Sequence, residues 1–187
     1  MIHSHSYFST PLRTCHFTID RFIPMIGMYF IFNGGYKMSK QFDLARNGLL
    51  GFVNKLDEKI VDIQPDHFNN TLRWHTGHVL VTTESLLFSF PKQSENIPEA
   101  YHALFATGTK PADWEVEAPS LTDLVKYLEE QHERVNGLSD AFFAETLPYT
   151  LPFGNFKTYD DIFAMILQHE AEHLGQMKAM HRIVSEK

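Results

Sequence analysis

The chain has 187 residues and a net charge of −7, with 43% hydrophobic and 21% charged residues. That length and apolar content predict one globular domain with a sizeable core. Lysine and arginine form no cluster, which argues against nucleic-acid binding and against binding to an anionic membrane. The single cysteine, Cys15, cannot form an internal disulfide, which is typical of a cytoplasmic protein.

Residues 1–37 differ in character from the rest of the chain. Their mostly apolar run, residues 22–32, is too short to span a bilayer, and no signal-peptide cleavage site follows it. The codons of Gly34 and Gly35 can form a ribosome-binding sequence shortly before Met38, where an amphipathic helix begins. We therefore interpret residues 1–37 as mis-annotated upstream sequence or a disordered leader, and residues 38–187 as the folded domain.

From Met38 onward, apolar residues recur at helical spacing, and no segment shows the alternation of a strand. The first helix is predicted to end before Gln64-Pro65. The second covers about residues 70–90, with Asn70 or Thr71 as its N-cap and Pro91 as its terminator. The apolar face of the first helix contains Phe42, Ala45, Leu49, Val53 and Leu56.

The second half of the chain continues the helical pattern. A short helix is predicted over residues 98–106, followed by a long third helix that opens at Ser120 and continues through Val135 toward Phe142 and Phe143. Residues 147–157 are predicted to be a loop, and the last helix to run from Thr158 to about Val184. Both long helices open with a capping-box-like sequence. Four long helices without strands predict an all-α four-helix bundle.

Two histidines on the last predicted helix, His169 and His173, are four residues apart and therefore share a face. They interrupt an otherwise apolar row. Burying unpartnered imidazoles costs a few kcal/mol, so these rings should be hydrogen-bonded, metal-bound or at a cleft. Neutral imidazole is a common ligand of zinc, nickel, copper and iron, so the pair is half of a candidate metal site. The row consists of Ile162, Ile166, His169, His173, Met177 and Met180.

The second helix carries another histidine pair, His75 and His78. His78 follows Gly77, whose missing side chain allows a neighbouring helix to approach closely, and it lies nearer the middle of its helix. His75 lies closer to the helix start, where a solvated or supporting role is more common. We expect His78 to be the ligand, with the alternative that both rings merely line a surface.

The segment from His169 to His173 also matches His-Glu-x-x-His, the zinc-protease pattern in which Glu170 would be the general base. The surrounding sequence disfavours a protease, because the extended metzincin pattern is missing and only 14 residues follow His173. Glu170 remains a candidate base toward a metal-bound water.

Trp74-His75-Thr76-Gly77-His78, together with the segment from His169 to Gln176, resembles the DinB-like superfamily, especially its YfiT-like branch. The resemblance covers residues 38–187 in helix order and motif spacing. It implies an up-down-down-up four-helix bundle with a divalent metal held by His78, His169 and His173. Similar members include bacillithiol- or mycothiol-dependent S-transferases, a mycothiol-dependent maleylpyruvate isomerase and iron enzymes of thiohistidine biosynthesis. Related bundles often form homodimers.

Three histidine ligands leave a coordination position open, as in catalytic metal sites. The first hypothesis is therefore a metal-dependent transferase that activates a small thiol for attack on an electrophile. Glu170 or His75 would be a proton shuttle or would support a ligand. The alternatives are a metal-dependent hydrolase and a non-catalytic metal-binding stress-response protein. All-nitrogen ligation favours zinc, nickel or iron over magnesium or calcium, and we expect zinc, with nickel or iron as alternatives.

Aromatic residues in the predicted loops and helix ends are candidates for a pocket over the metal, although packing is the commoner role of such residues. They are Trp114, Phe142, Phe143, Tyr149 and Phe153.

Overall fold

The computed structural model describes residues 39–185, so the interpretation of residues 1–37 lies outside the described residues. Within the described range there are six α-helices, one 3₁₀ turn over Pro111–Asp113 and no strand. The all-α prediction is therefore confirmed. The helices are α1 (Ser39–Val53), α2 (Leu72–Phe88), α3 (Ala100–Phe105), α4 (Leu121–Asn136), α5 (Asp140–Phe143) and α6 (Tyr159–Ser185).

Side-chain caps fix the starts of three long helices. The Thr71 hydroxyl accepts the N–H of Trp74 at 3.3 Å and starts α2, which selects Thr71 over Asn70 as the N-cap. The Ser120 hydroxyl accepts the N–H of Asp123 at 3.1 Å and starts α4. At the start of α6, Thr158 accepts the N–H of Asp161, whose carboxylate accepts the N–H of Thr158 in return. These bonds satisfy N–H groups that lack partners within the helix.

The third long helix is shorter than predicted, because the chain leaves the helix after Asn136 and begins the short α5 after Ser139. Gly137 caps α4 by donating its N–H to the carbonyls of Glu133 and Arg134. The Ser139 hydroxyl then accepts the N–H of Phe142 and starts α5. The prediction of one continuous helix through Phe143 was wrong because a glycine and a new serine cap compete with helix propagation.

The first helix also ends earlier than predicted, at Val53. The following residues form tight turns in which Lys55 and Leu56 donate to the carbonyls of Phe52 and Val53. Leu56 therefore packs against the core from a turn rather than from the helix.

The four long helices form a ring in which α6 packs against α1 and α2, and α4 packs against the same two helices. Contacting residue numbers rise together between α1 and α6 and between α2 and α4, so each of these pairs is parallel. The numbers run in opposite directions between α2 and α6 and between α1 and α4, so these pairs are antiparallel. The chain order is thus up-down-down-up, as expected. The parallel pairs are defined by Phe42–Phe163 and Phe52–His181 between α1 and α6, and by Leu80–Gln131 and Phe88–Arg134 between α2 and α4. The antiparallel pairs are defined by His75–His173 and His78–His169 between α2 and α6, and by Asp43–His132 and Arg46–Leu128 between α1 and α4.

The bundle core consists of two apolar clusters separated by a layer of polar side chains. One cluster includes Leu49 of α1 and Met177 of α6, and the other includes Phe42 and Ile166 of the same helices. Between them, each long helix contributes one fully buried residue with a charged or amide side chain. We call these four residues the polar layer: Arg46, Glu84, Gln131 and Glu170, each 0% exposed.

The polar layer is connected by hydrogen bonds from helix to helix. Arg46 Nε and one terminal guanidinium nitrogen donate to the two carboxylate oxygens of Glu170 at 2.9 and 3.0 Å. Arg46 also donates to the Leu128 carbonyl at 2.9 Å and to Gln131 Oε1 at 3.1 Å. The Gln131 amide in turn donates to Glu84 at 2.8 Å. Glu84 also pairs with Arg134 of α4 at 3.0 Å, so every charge of the layer has a counter-ion, which is the main requirement for burying ions.

No helix within residues 39–185 combines the length and hydropathy needed to cross a membrane.

We expect Arg46→Met to lower the free energy of unfolding by roughly 3–5 kcal/mol, because it leaves Glu170 buried without a counter-ion. The double variant Arg46→Met/Glu170→Met should recover most of that loss, since two apolar side chains can replace a buried ion pair. Urea unfolding of the metal-free proteins measures both effects. An Arg46→Met protein as stable as the wild type would contradict this account of the polar layer.

Candidate metal centre

Four histidine rings meet where α2 and α6 pack together. The Nε2 atom of His169 lies 3.2 Å from Nε2 of His78 and 3.0 Å from Nε2 of His173. One nitrogen from each of these three rings lies within 4.8 Å of the other two, which makes them a group able to hold a metal ion. The antiparallel crossing of α2 and α6 thus brings together residues about ninety positions apart in the sequence.

His78 is held from behind by the backbone of α3. Its Nδ1 lies 2.7 Å from the carbonyl oxygen of Phe105. A carbonyl only accepts, so Nδ1 carries the proton and Nε2 of the neutral ring presents its lone pair to the other histidines. This orientation is the one that a metal ligand requires.

Gly77 allows α3 to come this close. A Cβ atom at that position would lie 2.4–2.6 Å from the ring atoms of the buried Phe105. The predicted close approach at Gly77 therefore exists, and the neighbour is the short helix α3.

Trp74 covers one side of the centre. Its ring stacks on that of His78 with a centroid separation of 4.4 Å and an interplanar angle of 12°. The indole N–H donates to the Thr109 hydroxyl at 2.9 Å, which ties the stack to the loop after α3. The stack restricts solvent access to His78, which is 5% exposed.

His75 contacts the centre through His173 and is not part of the three-nitrogen group. The Nδ1 atoms of His75 and His173 are 2.7 Å apart. His75 is 5% exposed, so the expectation of a solvated ring near the helix start was wrong, and the supporting role remains.

The four histidines at the crossing of α2 and α6 are uncharged at neutral pH. Burial, followed by the proximity of the other imidazoles, lowers the pKa of His75 to about 4 and that of His173 to about 3. Burial and His78 lower the pKa of His169 to about 4, although nearby Glu172 opposes the shift. Burial also lowers the pKa of His78. Neutral imidazole is the form that coordinates metals, so no proton has to be removed at pH 7.

The arrangement fits a transition-metal ion. Two nitrogens bound tetrahedrally at zinc distances of about 2.0–2.1 Å are separated by about 3.3 Å. The two measured Nε2 separations, 3.2 and 3.0 Å, are close to that value. Three neutral imidazole nitrogens at this spacing are the donor set that zinc, nickel or iron prefers.

Glu170 has different partners from those expected of a proton shuttle. Both of its carboxylate oxygens accept hydrogen bonds from Arg46, and the residue is fully buried in the polar layer. These contacts give Glu170 a structural role, and they provide no support for the protease-like interpretation of His-Glu-x-x-His.

The aromatic candidates pack mainly against the two core clusters. Phe142, Phe143 and Tyr149 contact the cluster around Phe163, and Trp114 contacts the other cluster. Phe153 is 58% exposed. Four of the five aromatic candidates therefore have a packing role, which was the alternative to lining a pocket.

The sequence pattern did not single out Thr82, which lies one turn after His78 on the same face of α2. Its hydroxyl is 3.5 Å from Nε2 of His78. The i to i+4 spacing was the available signal. The Phe105 carbonyl had no such signal, because a backbone acceptor can belong to any residue type.

Comparison with known proteins matches the helical bundle and its histidines to one family. The model of the DinB superfamily matches residues 41–177. The chain belongs to the DinB superfamily. The match includes α2 with His78 and the part of α6 that carries His169 and His173. Among curated proteins, none matches this chain.

DinB membership and the three-histidine group together describe a DinB-like protein with a candidate metal-binding site. The matched residues also include Arg46 and Glu170 of the polar layer. Because His169 directly precedes Glu170 in α6, the candidate site of this DinB protein lies beside the buried ion pair of its bundle.

We expect Gly77→Ala to lower the free energy of unfolding by about 1–3 kcal/mol, because the new methyl group overlaps the Phe105 ring. It should also weaken zinc binding, since displacing Phe105 moves the carbonyl that orients His78. Gly51→Ala in α1 is the matched control: nothing lies within 4 Å of its added Cβ. That control should be neutral or stabilising by up to about 1 kcal/mol, as alanine favours helix. Urea unfolding and zinc titration would contradict the account if the two variants behaved alike.

Proposed function

We propose that this DinB protein is a metal-dependent transferase that joins a low-molecular-weight thiol to an electrophilic small molecule. His78, His169 and His173 would hold a divalent transition metal, with zinc favoured and nickel or iron as alternatives. The observation that carries the proposal is the convergence of three uncharged imidazole nitrogens, with separations of 3.0 and 3.2 Å along the group.

The number of ligands supports catalysis over a structural role. Structural zinc sites are closed by four protein ligands, whereas catalytic sites use three and keep a position for water or substrate. The group in this chain contains three residues. His169 and His173 are only partly buried, so a small molecule can reach the centre from their side.

When bound, a divalent metal supplies the Lewis acidity that lowers the pKa of a coordinated thiol or water. In the proposed reaction the thiol sulfur forms a bond to an electrophilic carbon. The thiol proton passes to solvent, and the leaving group departs with the electron pair of the broken bond.

The residues of the chain would orient the reactants. The Phe105 carbonyl fixes the His78 ring, and the stacked Trp74 shields it from water. Thr82, whose hydroxyl lies 3.5 Å from Nε2 of His78, would be near a thiol bound at the metal. Water in the thiol's place would instead give hydrolysis, so the same geometry must be tested against both reactions.

Metal content is the first test. We expect purified wild-type protein to take up about one zinc, nickel or iron ion per chain, as one three-nitrogen group requires. His78→Ala, His169→Ala and His173→Ala should each lose most of the metal while keeping their helical circular dichroism. His181→Ala is the matched control on α6, because His181 lies outside the three-histidine group, and it should keep the metal.

Turnover is the second test. Metal-loaded wild type should consume a small thiol together with an aromatic chloride electrophile faster than metal-free protein does, and His169→Ala should not. Hydrolysis without thiol consumption would replace the transferase by a hydrolase. Bound metal without either activity would favour a non-catalytic metal-binding protein, and failure of the wild type to bind any of the three metals would overturn the proposal altogether.

A further inference from the structure

The ring of His173 is contacted on two sides by different histidines. Its Nε2 lies 3.0 Å from Nε2 of His169, within the three-nitrogen group. Its Nδ1 lies 2.7 Å from Nδ1 of His75. The two nitrogens of an imidazole point in diverging directions, so His75 lies behind His173 as seen from the centre.

A hydrogen bond between two imidazole nitrogens requires one donor and one acceptor. Two neutral rings can meet this requirement in two ways. If His173 donates from Nδ1, its Nε2 presents a lone pair to the centre. If His75 donates instead, His173 carries its proton on Nε2, and that nitrogen cannot bind a metal.

At His78 the hydrogen-bond partner allows only the first arrangement, with the proton on Nδ1. Its Nδ1 faces the carbonyl of Phe105, which can only accept, so the lone pair on Nε2 is directed to the centre. His75 occupies the corresponding place behind His173. His169 differs from both, because its buried Nδ1 has no hydrogen-bond partner among the described residues.

We propose that His75 is a positioning residue whose Nδ1 accepts the Nδ1–H of His173 and so holds Nε2 of His173 toward His78 and His169. The effect of His75 on metal binding rests on the proposed function. The hydrogen bond between His75 and His173 does not, because it is present in the metal-free chain. Partners of this kind commonly fix both the tautomer and the ring orientation of a metal-bound histidine.

Two substitutions separate the acceptor from the ring. His75→Phe keeps an aromatic ring and removes the accepting nitrogen. His75→Asn keeps a polar atom at the place of Nδ1 and removes the ring. His181→Phe on α6 is the control for a histidine-to-phenylalanine change outside the group.

The first readout is the tautomer of His173 in metal-free full-length protein, measured by long-range ¹H–¹⁵N correlation NMR. We expect the Nδ1–H form in the wild type, in His75→Asn and in His181→Phe, and a shift toward the Nε2–H form in His75→Phe. A wild-type His173 protonated on Nε2 would overturn the proposal, and this result does not depend on whether any variant folds.

The second readout is zinc affinity, measured by competition with a chromophoric chelator. We expect His75→Phe to bind zinc about 10–100-fold more weakly than the wild type, the usual effect of removing such a partner. His75→Asn should recover most of the affinity. Wild-type affinity in His75→Phe, or an equal loss in both variants, would overturn the positioning role.

The two readouts also distinguish failure of this inference from failure of the proposed function. A wild type that binds no zinc but shows the Nδ1–H form of His173, lost in His75→Phe, would overturn the metal site and support the role of His75. Tight zinc binding with no change of tautomer or affinity in His75→Phe would support the metal site and overturn the role of His75.

Discussion

The buried ion pair between Arg46 and Glu170 fixes α6 in the bundle, and the histidine centre depends on that placement. Both residues are fully buried, and two hydrogen bonds of 2.9 and 3.0 Å join them. Sliding or rotating α6 would break these bonds and leave two desolvated charges unpaired, at a cost of several kcal/mol. An apolar contact tolerates such shifts much better. Because His169 directly precedes Glu170 in α6, the ion pair that turns Glu170 toward α1 also sets the direction in which His169 faces α2.

Successive helix residues point about 100° apart, and this explains how one short segment serves two purposes. His169 and His173 share a face that meets α2, whereas Glu170 lies on the neighbouring face and enters the polar layer. The His-Glu-x-x-His pattern has its usual helical geometry here, with two histidines on one face. Its glutamate, however, is paired with Arg46 of α1 on the neighbouring face of the helix. A motif therefore specifies the spacing of its residues, while the partners supplied by other helices decide which of them can act on a substrate.

The helices and the histidine pair of α6 were predictable because their signals are local. Caps at Thr71, Ser120 and Thr158 and the i to i+4 spacing of His169 and His173 depend on neighbouring residues only. The break after α4 was missed although Gly137 signals it. Arg46 was also missed, because the apolar row suggested Ala45 for the core, whereas Arg46 is the residue fully buried there. The pairing of His75 with His173, 98 positions away, depends on how α2 and α6 cross, which the sequence pattern alone does not specify.

Without a metal, burying the histidine centre costs folding free energy, which the rest of the bundle has to offset. Burial lowers the pKa of these histidines, so the rings are desolvated and uncharged, and the Nε2 atoms of His169 and His173 lie 3.0 Å apart. Nδ1 of His169 is also buried without a hydrogen-bond partner among the described residues, which costs free energy in the metal-free chain. The packing of the apolar clusters and the hydrogen bonds of the polar layer must offset this cost. Rigid elements that hold candidate ligands close together keep a site ready for a cation, and in this bundle they are the ion pair at Arg46, the α3 carbonyl behind His78 and the apolar clusters on either side of the polar layer.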